Sequence, residues 1–521
     1  MNKTVIVNIF LALSLALSAS AQQKEEFTPI NKLNYAEAII ENFYVEDVNT
    51  DTIVSEAIIA MLKTLDPHSS YTSPKETKDL TEPLEGKFSG IGVQFNMSTD
   101  TVYVIQTVSG GPSEKVGIRP GDRIVAADDS VIAGKKLPNS QVMKVLRGPK
   151  GSKVKLSVLR DGKMIDFIVT RDDIPINSVD GVYMVTPEIG YIRLSRFAED
   201  SGKEVEDAVR KLQKQGMKKL ILDLEDNGGG YLKAAYDIAS LFLNKDDLVV
   251  FTKGKNDQIT SYMTVENKKP LFDGPVVVTV NQYSASASEI VSGALQDNDR
   301  GTIVGRRTFG KGLVQRPFPF PDGSMIRLTT ARYYTPSGRC IQKHYEKGKG
   351  EEYHLDLLNR YKSGELWSAD SIHFDESQKF RTLKKDRIVY GGGGIMPDVF
   401  VPVDTSYYTQ YYRDIMAKGV LPTYSLQFVD KNRNEMVKKY PTENAFFANF
   451  KVTPQMIDEI VEKAKAEGVE PNPEQLKASQ PIIEAIIMGY LTRDLYEDGS
   501  YIRAINPYNP IFTEAVKQLT N

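Results

Sequence analysis

From Lys32 to about Leu65, apolar residues recur at helical spacing (Leu33, Ala36, Ile39, Ile40, Phe43), with turn-forming residues between Asp47 and Thr52. This predicts a helical N-terminal region over residues 22–85. From about Gly86 the period changes to short β-type runs: Ile91 to Phe95, Val102 to Val108, Arg123 to Ala126, Val154 to Leu159 and Asp166 to Val169. Turn signals separate them, so a compact, mostly β unit is expected over 86–173. Beyond Asp173 strands and helices alternate. Lys219 to Leu224, Pro275 to Val280 and Thr302 to Val304 read as strands, Tyr231 to Phe242 and Ser286 to Gln296 as helices. A layered α/β core over 174–405 follows. Within it, residues from about 343 to 387 are polar and charged and read as an insertion or long loop, before Val399 to Val403 returns as a strand. Helical periods dominate 406–521, a C-terminal helical extension. The fold class is multidomain α/β.

The β unit carries two further signals. Ser89-Gly90-Ile91-Gly92-Val93 resembles the carboxylate-binding loop of PDZ domains, and Pro112 to Asp122 resembles the short helix and Gly-x-x-x-Gly-Asp turn that follow in that family. Glycines there let backbone N–H groups converge on a peptide's terminal carboxylate while the peptide adds a strand to the sheet edge. Gly90, Ile91, Gly92 and Val93 are therefore the candidate substrate-binding residues.

Composition narrows the function classes. With 65 basic and 68 acidic residues and a net charge of −3, the chain has no polyanion-binding footprint, which argues against nucleic acid as a partner. The start, Met-Asn-Lys followed by uncharged Val5 to Leu17 and Ser18-Ala19-Ser20-Ala21, has the form of a secretory signal peptide over 1–21. Export is expected. The single cysteine, Cys340, cannot form an internal disulfide and sits in a polar turn without an activating neighbour in sequence.

Acyl transfer needs a nucleophile, a base and oxyanion donors. The histidine-based template fails here: the chain has four histidines, three of them in the polar insertion, and no Gly-x-Ser-x-Gly elbow or His-Glu-x-x-His motif. What remains is Ser284-Ala285-Ser286-Ala287-Ser288-Glu289 at a strand-to-helix junction, where N–H groups at the helix start favour a developing oxyanion. A Ser-rich helix cap explains that segment equally well. Downstream, Gly310-Lys311-Gly312 frames a lysine in a tight turn, and burial there would lower its pKa enough to serve as a base near neutral pH. Gln315, four residues on, could orient that amine or be plain surface. Asn227-Gly228-Gly229-Gly230 forms a loop between strand and helix, suited to an oxyanion donor or to a simple turn. A phosphate-binding loop is argued against at Gly305 to Lys311. The next residue is Gly312 rather than Ser or Thr, and prolines follow instead of a helix.

These elements in this order resemble the C-terminal processing peptidases, or tail-specific proteases. The likeness covers roughly Asn34 to Val403 and includes Thr308-Phe309-Gly310-Lys311-Gly312 and Tyr333-Tyr334-Thr335-Pro336-Ser337-Gly338. It implies a serine-type endopeptidase with Ser286 as nucleophile, Lys311 as general base and Gln315 orienting the lysine. Only the resemblance selects Ser286 over Ser284 and Ser288. The implied oxyanion donors are the N–H groups of Ala287 and of a loop glycine, Gly230 in preference to Gly229. Gly228 departs from the family, standing where proline is common. Asp297 is counted as catalytic in some descriptions of the family, but eleven helical residues set it about 16 Å along the axis from Ser286, so support of neighbouring structure is expected instead. The resemblance further implies substrates bound by their C-termini, a bacterial periplasmic location, and chemistry that needs no metal or cofactor. It leaves room for a homo-oligomer and for an adaptor protein. The competing class is an inactive exported PDZ-containing peptide-binding scaffold.

Overall fold

The computed structural model describes residues 28–97, 100–128, 130–264, 269–496 and 499–520. The expected signal peptide lies outside the described residues. Helices Pro29–Phe43 and Thr50–Lys63 form where the periodicity places them. Side chains start each one: Thr28 Oγ1 accepts from Asn31 N–H at 3.3 Å and Asn49 Oδ1 from Thr52 N–H at 3.0 Å. A third helix, Pro74–Glu85, ends at Gly86, whose φ of 73° suits the left-handed cap that turns the chain into the β unit.

In that unit the strands run in the order Val93–Asn96, Val102–Thr107, Arg123–Ala127, Lys153–Arg160 and Lys163–Thr170, all antiparallel. Val102, Val104, Ile124, Leu156 and Val158 are fully buried between the sheet and helix Asn139–Leu146, which the sequence reading did not anticipate. Strand Val93–Asn96 forms one edge of this sheet.

A six-stranded sheet carries the α/β core, in the order Val179–Met184, Ile189–Leu194, Lys219–Asp223, Val276–Val280, Gly301–Gly305 and Val399–Phe400. The first pair is antiparallel and the rest are parallel. Both faces are covered, which is why the central strands read as continuous apolar runs. On one face Leu220, Leu222, Val276 and Val278 pack with helices Ser201–Lys214, Leu232–Ser240 and Ala287–Asp297. Facing the other way, Ile221, Val277 and Val304 meet Ile511, Phe512 and Ala515 of the last helix, Pro510–Thr520.

A second sheet joins Ser70–Thr72, Leu313–Pro319, Met325–Tyr334, Leu248–Gly254 and Ile259–Met263. Pro317 and Pro319 disguise one of its strands. Among the described residues Leu313–Pro319 pairs only with Met325–Tyr334, and an edge position tolerates residues without N–H.

The segment expected as a polar loop is folded. It contains helices Gly350–His354 and Asp356–Lys362 and a hairpin of Lys379–Arg381 with Ile388–Tyr390. Its charges are partly interior: Glu365 accepts from Arg360 Nε at 2.7 Å and from Arg307 Nη2 at 2.6 Å. Such mutual compensation lets a hydrophilic sequence occupy a buried place.

The C-terminal region has its own helical core, including Ile415, Leu421, Val429, Ile460, Ile483 and Leu491. Contacts run both ways from it. Gln106 Nε2 of the β unit donates to Arg493 O at 2.9 Å and Tyr496 O at 2.8 Å, while Asn506 Nδ2 donates to Tyr183 of the core sheet at 2.7 Å.

Candidate active site

The sequence-selected serine and lysine lie on different elements, and a buried carboxylate joins them. Ser286 precedes helix Ala287–Asp297, and Lys311 sits in the coil leading to strand Leu313–Pro319. Glu289, fully buried, receives the Ser286 N–H on Oε2 at 2.8 Å and the Lys311 N–H on the same oxygen at 2.9 Å. Its Oε1 receives Gly310 N–H at 2.8 Å and the Thr308 hydroxyl at 2.5 Å. Thr308 Oγ1 in turn accepts from Ile395 N–H at 2.7 Å, so its own proton points to Glu289. Four donors leave that side chain acting as an acceptor only, its ionised role. Burial nevertheless pushes its pKa above the ordinary value, against these hydrogen bonds. Tyr333 makes a second bridge, its hydroxyl lying 3.1 Å from Ser286 O and 2.6 Å from Lys311 O.

The three serines of the segment separate clearly. Ser284 Oγ donates to Leu224 O and Ser288 Oγ to Asn227 O, each at 2.7 Å, and both residues are fully buried. Ser286 is half-buried, and its hydroxyl donates to no acceptor among the described residues. Its backbone is also strained, with φ 57° and ψ −111°, a conformation that costs a non-glycine residue about 1–3 kcal/mol. A strained turn between strand and helix is the geometry of a nucleophile elbow, here without the Gly-x-Ser-x-Gly signature.

The glycine loop lies directly against this turn. A Cβ on Gly229 would fall 2.7 Å from Ala285 O and 2.8 Å from Ser286 Cβ, so only glycine fits. Asn227 fixes the loop: its Oδ1 accepts from Gly229 N–H at 2.9 Å, and its carbonyl accepts from Ala285 N–H at 3.0 Å. Gly229 therefore spends its donor. Among the described residues the N–H groups of Gly230 and Ala287 have no acceptor, the condition an oxyanion donor must meet. Gly230, with φ 152°, is held by Phe197, whose carbonyl would be 2.1 Å from a Cβ there.

Lys311 occupies a cramped place between Gly310 and Gly312. A Cβ on Gly310 would approach Gly394 N at 3.2 Å, and one on Gly312 would approach Gln342 N at 2.9 Å. Burial lowers the Lys311 pKa from 10.5 to about 8; Arg327 pushes the same way, while Glu289 and Asp66 oppose. Gln315 is not bonded to Lys311. Its Nε2 donates to Thr329 Oγ1 at 3.3 Å, and Thr329 donates to Asp66 Oδ1 at 3.0 Å.

Sequence reasoning missed the shell around the lysine. The Asp66-Pro67-His68 loop reaches it from the N-terminal region: burial and the charge of Lys311 hold the His68 imidazole down at about 3, and its Nε2 lies 2.9 Å from the Tyr353 hydroxyl. Glu289 had a legible signal, since Ser-x-x-Glu is the spacing of a helix start whose glutamate reaches back to the first N–H. Cys340 is no activated thiol, because burial pushes its pKa up. Among the described residues no cluster of candidate ligands for a metal ion occurs.

In the PDZ-like loop, Ile91 O accepts from Ser113 N–H at 3.0 Å and Ser113 Oγ at 2.7 Å, and Gly92 O accepts from Val108 N–H at 3.0 Å. The N–H groups of Ile91 and Gly92 have no acceptor among the described residues. A groove of about 460 Å³ opens beside them, lined by Ile91, Val93, Phe95, Met143 and Leu146.

Comparison with known proteins gives the family and its domains. Residues 188–349 match peptidase family S41, residues 89–170 a PDZ domain, residues 12–77 the N-terminal domain of the activating protease CtpB, and residues 411–498 a family of unknown function. A probable CtpA-like serine protease of Staphylococcus aureus is 34% identical over 348 residues, covering 67% of this chain and 68% of the relative. One from Staphylococcus epidermidis is 34% identical over 390 residues, covering 74% and 77%. Among solved structures, the photosystem II D1 C-terminal processing protease is 26% identical and covers 72% of this chain and 87% of its own, with a TM-score of 0.38. The molecule is a serine peptidase equipped with a PDZ domain. It belongs to peptidase family S41, the C-terminal processing peptidases, as the sequence resemblance implied.

Asp297 is fully buried and committed to its neighbours: it pairs with buried Arg339 at 2.7 Å and accepts from Ser337 N–H at 3.0 Å and Ser337 Oγ at 2.6 Å. Asp297→Ala therefore strands a buried guanidinium and should cost about 3–5 kcal/mol of stability. Turnover per titrated active site should stay within about twofold of wild type, and a stable but inactive variant would assign Asp297 to the chemistry instead.

Proposed function

We propose that this peptidase is an exported endopeptidase that captures protein C-termini in its PDZ groove and cleaves peptide bonds with a Ser286/Lys311 dyad through an acyl-enzyme. The observation that carries the reading is the joint tethering of the Ser286 and Lys311 backbones by Glu289, around a lysine whose pKa is lowered to about 8. In this mechanism neutral Lys311 takes the hydroxyl proton as Ser286 attacks the scissile carbonyl. Negative charge on the carbonyl oxygen is met by the Ala287 and Gly230 N–H groups. The protonated amine then passes its proton to the leaving nitrogen, and water, deprotonated in turn, releases the product acid. Gln315 is not bonded to Lys311 in this structure; its amide nitrogen is committed to Thr329, so orienting the amine would fall to its carbonyl oxygen once substrate is bound.

Capture of a C-terminus is supported by the free N–H groups of Ile91 and Gly92 and by the apolar groove beside them. The helix Pro29–Phe43 has no buried residue and exposes Ile30, Leu33, Ile39 and Phe43, which supports the expectation of a homo-oligomer. Among the described residues no helix is long and apolar enough to cross a membrane.

Cleavage of an unstructured protein with an apolar C-terminus should fall by about 10⁴-fold or more in Ser286→Ala and in Lys311→Ala. Wild-type activity in all three sinks the dyad, and an inactive wild type favours the scaffold alternative. Because the active amine is the neutral one, kcat/KM should rise with pH and level off above about 8. A profile flat from about pH 6 to about pH 10 would rule out a titrating lysine. Export predicts a mature protein beginning at Gln22, which N-terminal sequencing of the secreted product checks; an intact Met1 on that product contradicts it.

A further inference from the structure

The peptide groove of the PDZ domain is not built by that domain alone. Arg493, from the C-terminal helical region, lines it together with Gln94, Asn96 and Met143. Its placement is fixed at three points. The Arg493 carbonyl accepts from Gln106, Leu426 packs on Tyr103 and Ile105, and Arg123 pairs with Asp430.

Register decides what Arg493 can touch. Phe95 pairs with Val104, and Val104 is buried in the PDZ core, so Phe95 and Val93 face the groove floor. Gln94 pairs with Gln106 and Asn96 with Tyr103; an irregularity in the register between Gln94 and Phe95 lets Gln106 and Tyr103 share a face, and since both meet the C-terminal region, Gln94 and Asn96 face it too. A peptide added to the free edge of Val93–Asn96 alternates in the same way. With its terminal side chain on the floor beside Ile91 and Leu146, its penultimate side chain projects toward Arg493.

Charge completes the argument. Asp494, buried, takes Arg493 Nε at 3.0 Å and Nη2 at 2.9 Å, which fixes the guanidinium while Nη1 has no acceptor among the described residues. Close by, Arg433 donates to the Asp494 carbonyl at 2.9 Å, and among the described residues no carboxylate forms an ion pair with it. Among the described residues two aspartates thus face three arginines at this seam, counting Arg123 with Asp430.

We propose that the C-terminal helical region forms the outer wall of the peptide groove, and that Arg493 selects substrate tails with an acidic penultimate side chain. This rests on the reading of the groove as a C-terminus receptor. The test uses full-length Ser286→Ala protein and fluorescent peptides that share one apolar terminal residue and carry Glu, Gln or Lys at the penultimate position. Anisotropy should show Glu bound about five- to tenfold more tightly than Lys. Arg493→Gln should abolish the difference and Arg493→Glu should reverse it, with the Gln peptide still bound as a check that the groove is intact. Moving the charge one residue upstream, toward the groove floor, should remove the dependence on Arg493. An equal Glu-to-Lys ratio in wild type and both variants overturns the role of Arg493. Failure of every peptide to bind, or binding unchanged when the terminal carboxylate is amidated, overturns the receptor reading and this inference with it.

Discussion

One buried carboxylate organises the catalytic half of this molecule. Glu289 accepts the backbone N–H groups of the candidate nucleophile and base and two further donors from the same loop as the base. Removing such a group would leave four donors without partners, those of Thr308 and Gly310 buried, and each buried loss costs on the order of 1–3 kcal/mol. The carboxylate itself would be costly to bury without them. Each side of the arrangement therefore requires the other. The strained Ser286 backbone persists because both of its peptide groups are held: its N–H by Glu289 and its carbonyl by Tyr333 and by Glu289 and Ile290 N–H.

The lysine's environment has a second origin. Three segments distant in sequence converge on it: the Asp66 loop, Arg327 on the second sheet and the folded polar segment bearing Tyr353. Lys343 closes that segment over Phe309, its ammonium 4.0 Å from the ring centroid and 3.0 Å from Asp356. Desolvation of Lys311 is thus a product of tertiary assembly rather than of its own loop. The PDZ domain is tied into the same assembly through the C-terminal helices, which reach both its sheet and the core sheet.

Much of this was legible in the chain. Buried strands such as Val276–Val280 announce themselves by unbroken apolar runs, and Gly310 and Gly312 announce a turn that excludes Cβ atoms. The choice among three serines needed the resemblance, and the structure adds a physical reason: Ser284 and Ser288 spend their hydroxyls on carbonyls. What stayed hidden depends on distant partners. Strand Leu313–Pro319 is masked by prolines that only an edge position allows, and Glu365 looks like loop polarity until Arg307 and Arg360 close on it. Gln315 lies four residues from Lys311, yet its amide is turned by Thr329 and Asp66, which no local spacing could reveal.

The most direct test is the turnover of Glu289→Gln alongside its thermal unfolding. A glutamine keeps the volume but replaces an acceptor oxygen by an NH₂ facing N–H donors. The account predicts a folded protein whose kcat falls by about 10²-fold or more, as when an active-site hydrogen bond is misplaced. A folded variant with wild-type kcat would contradict it.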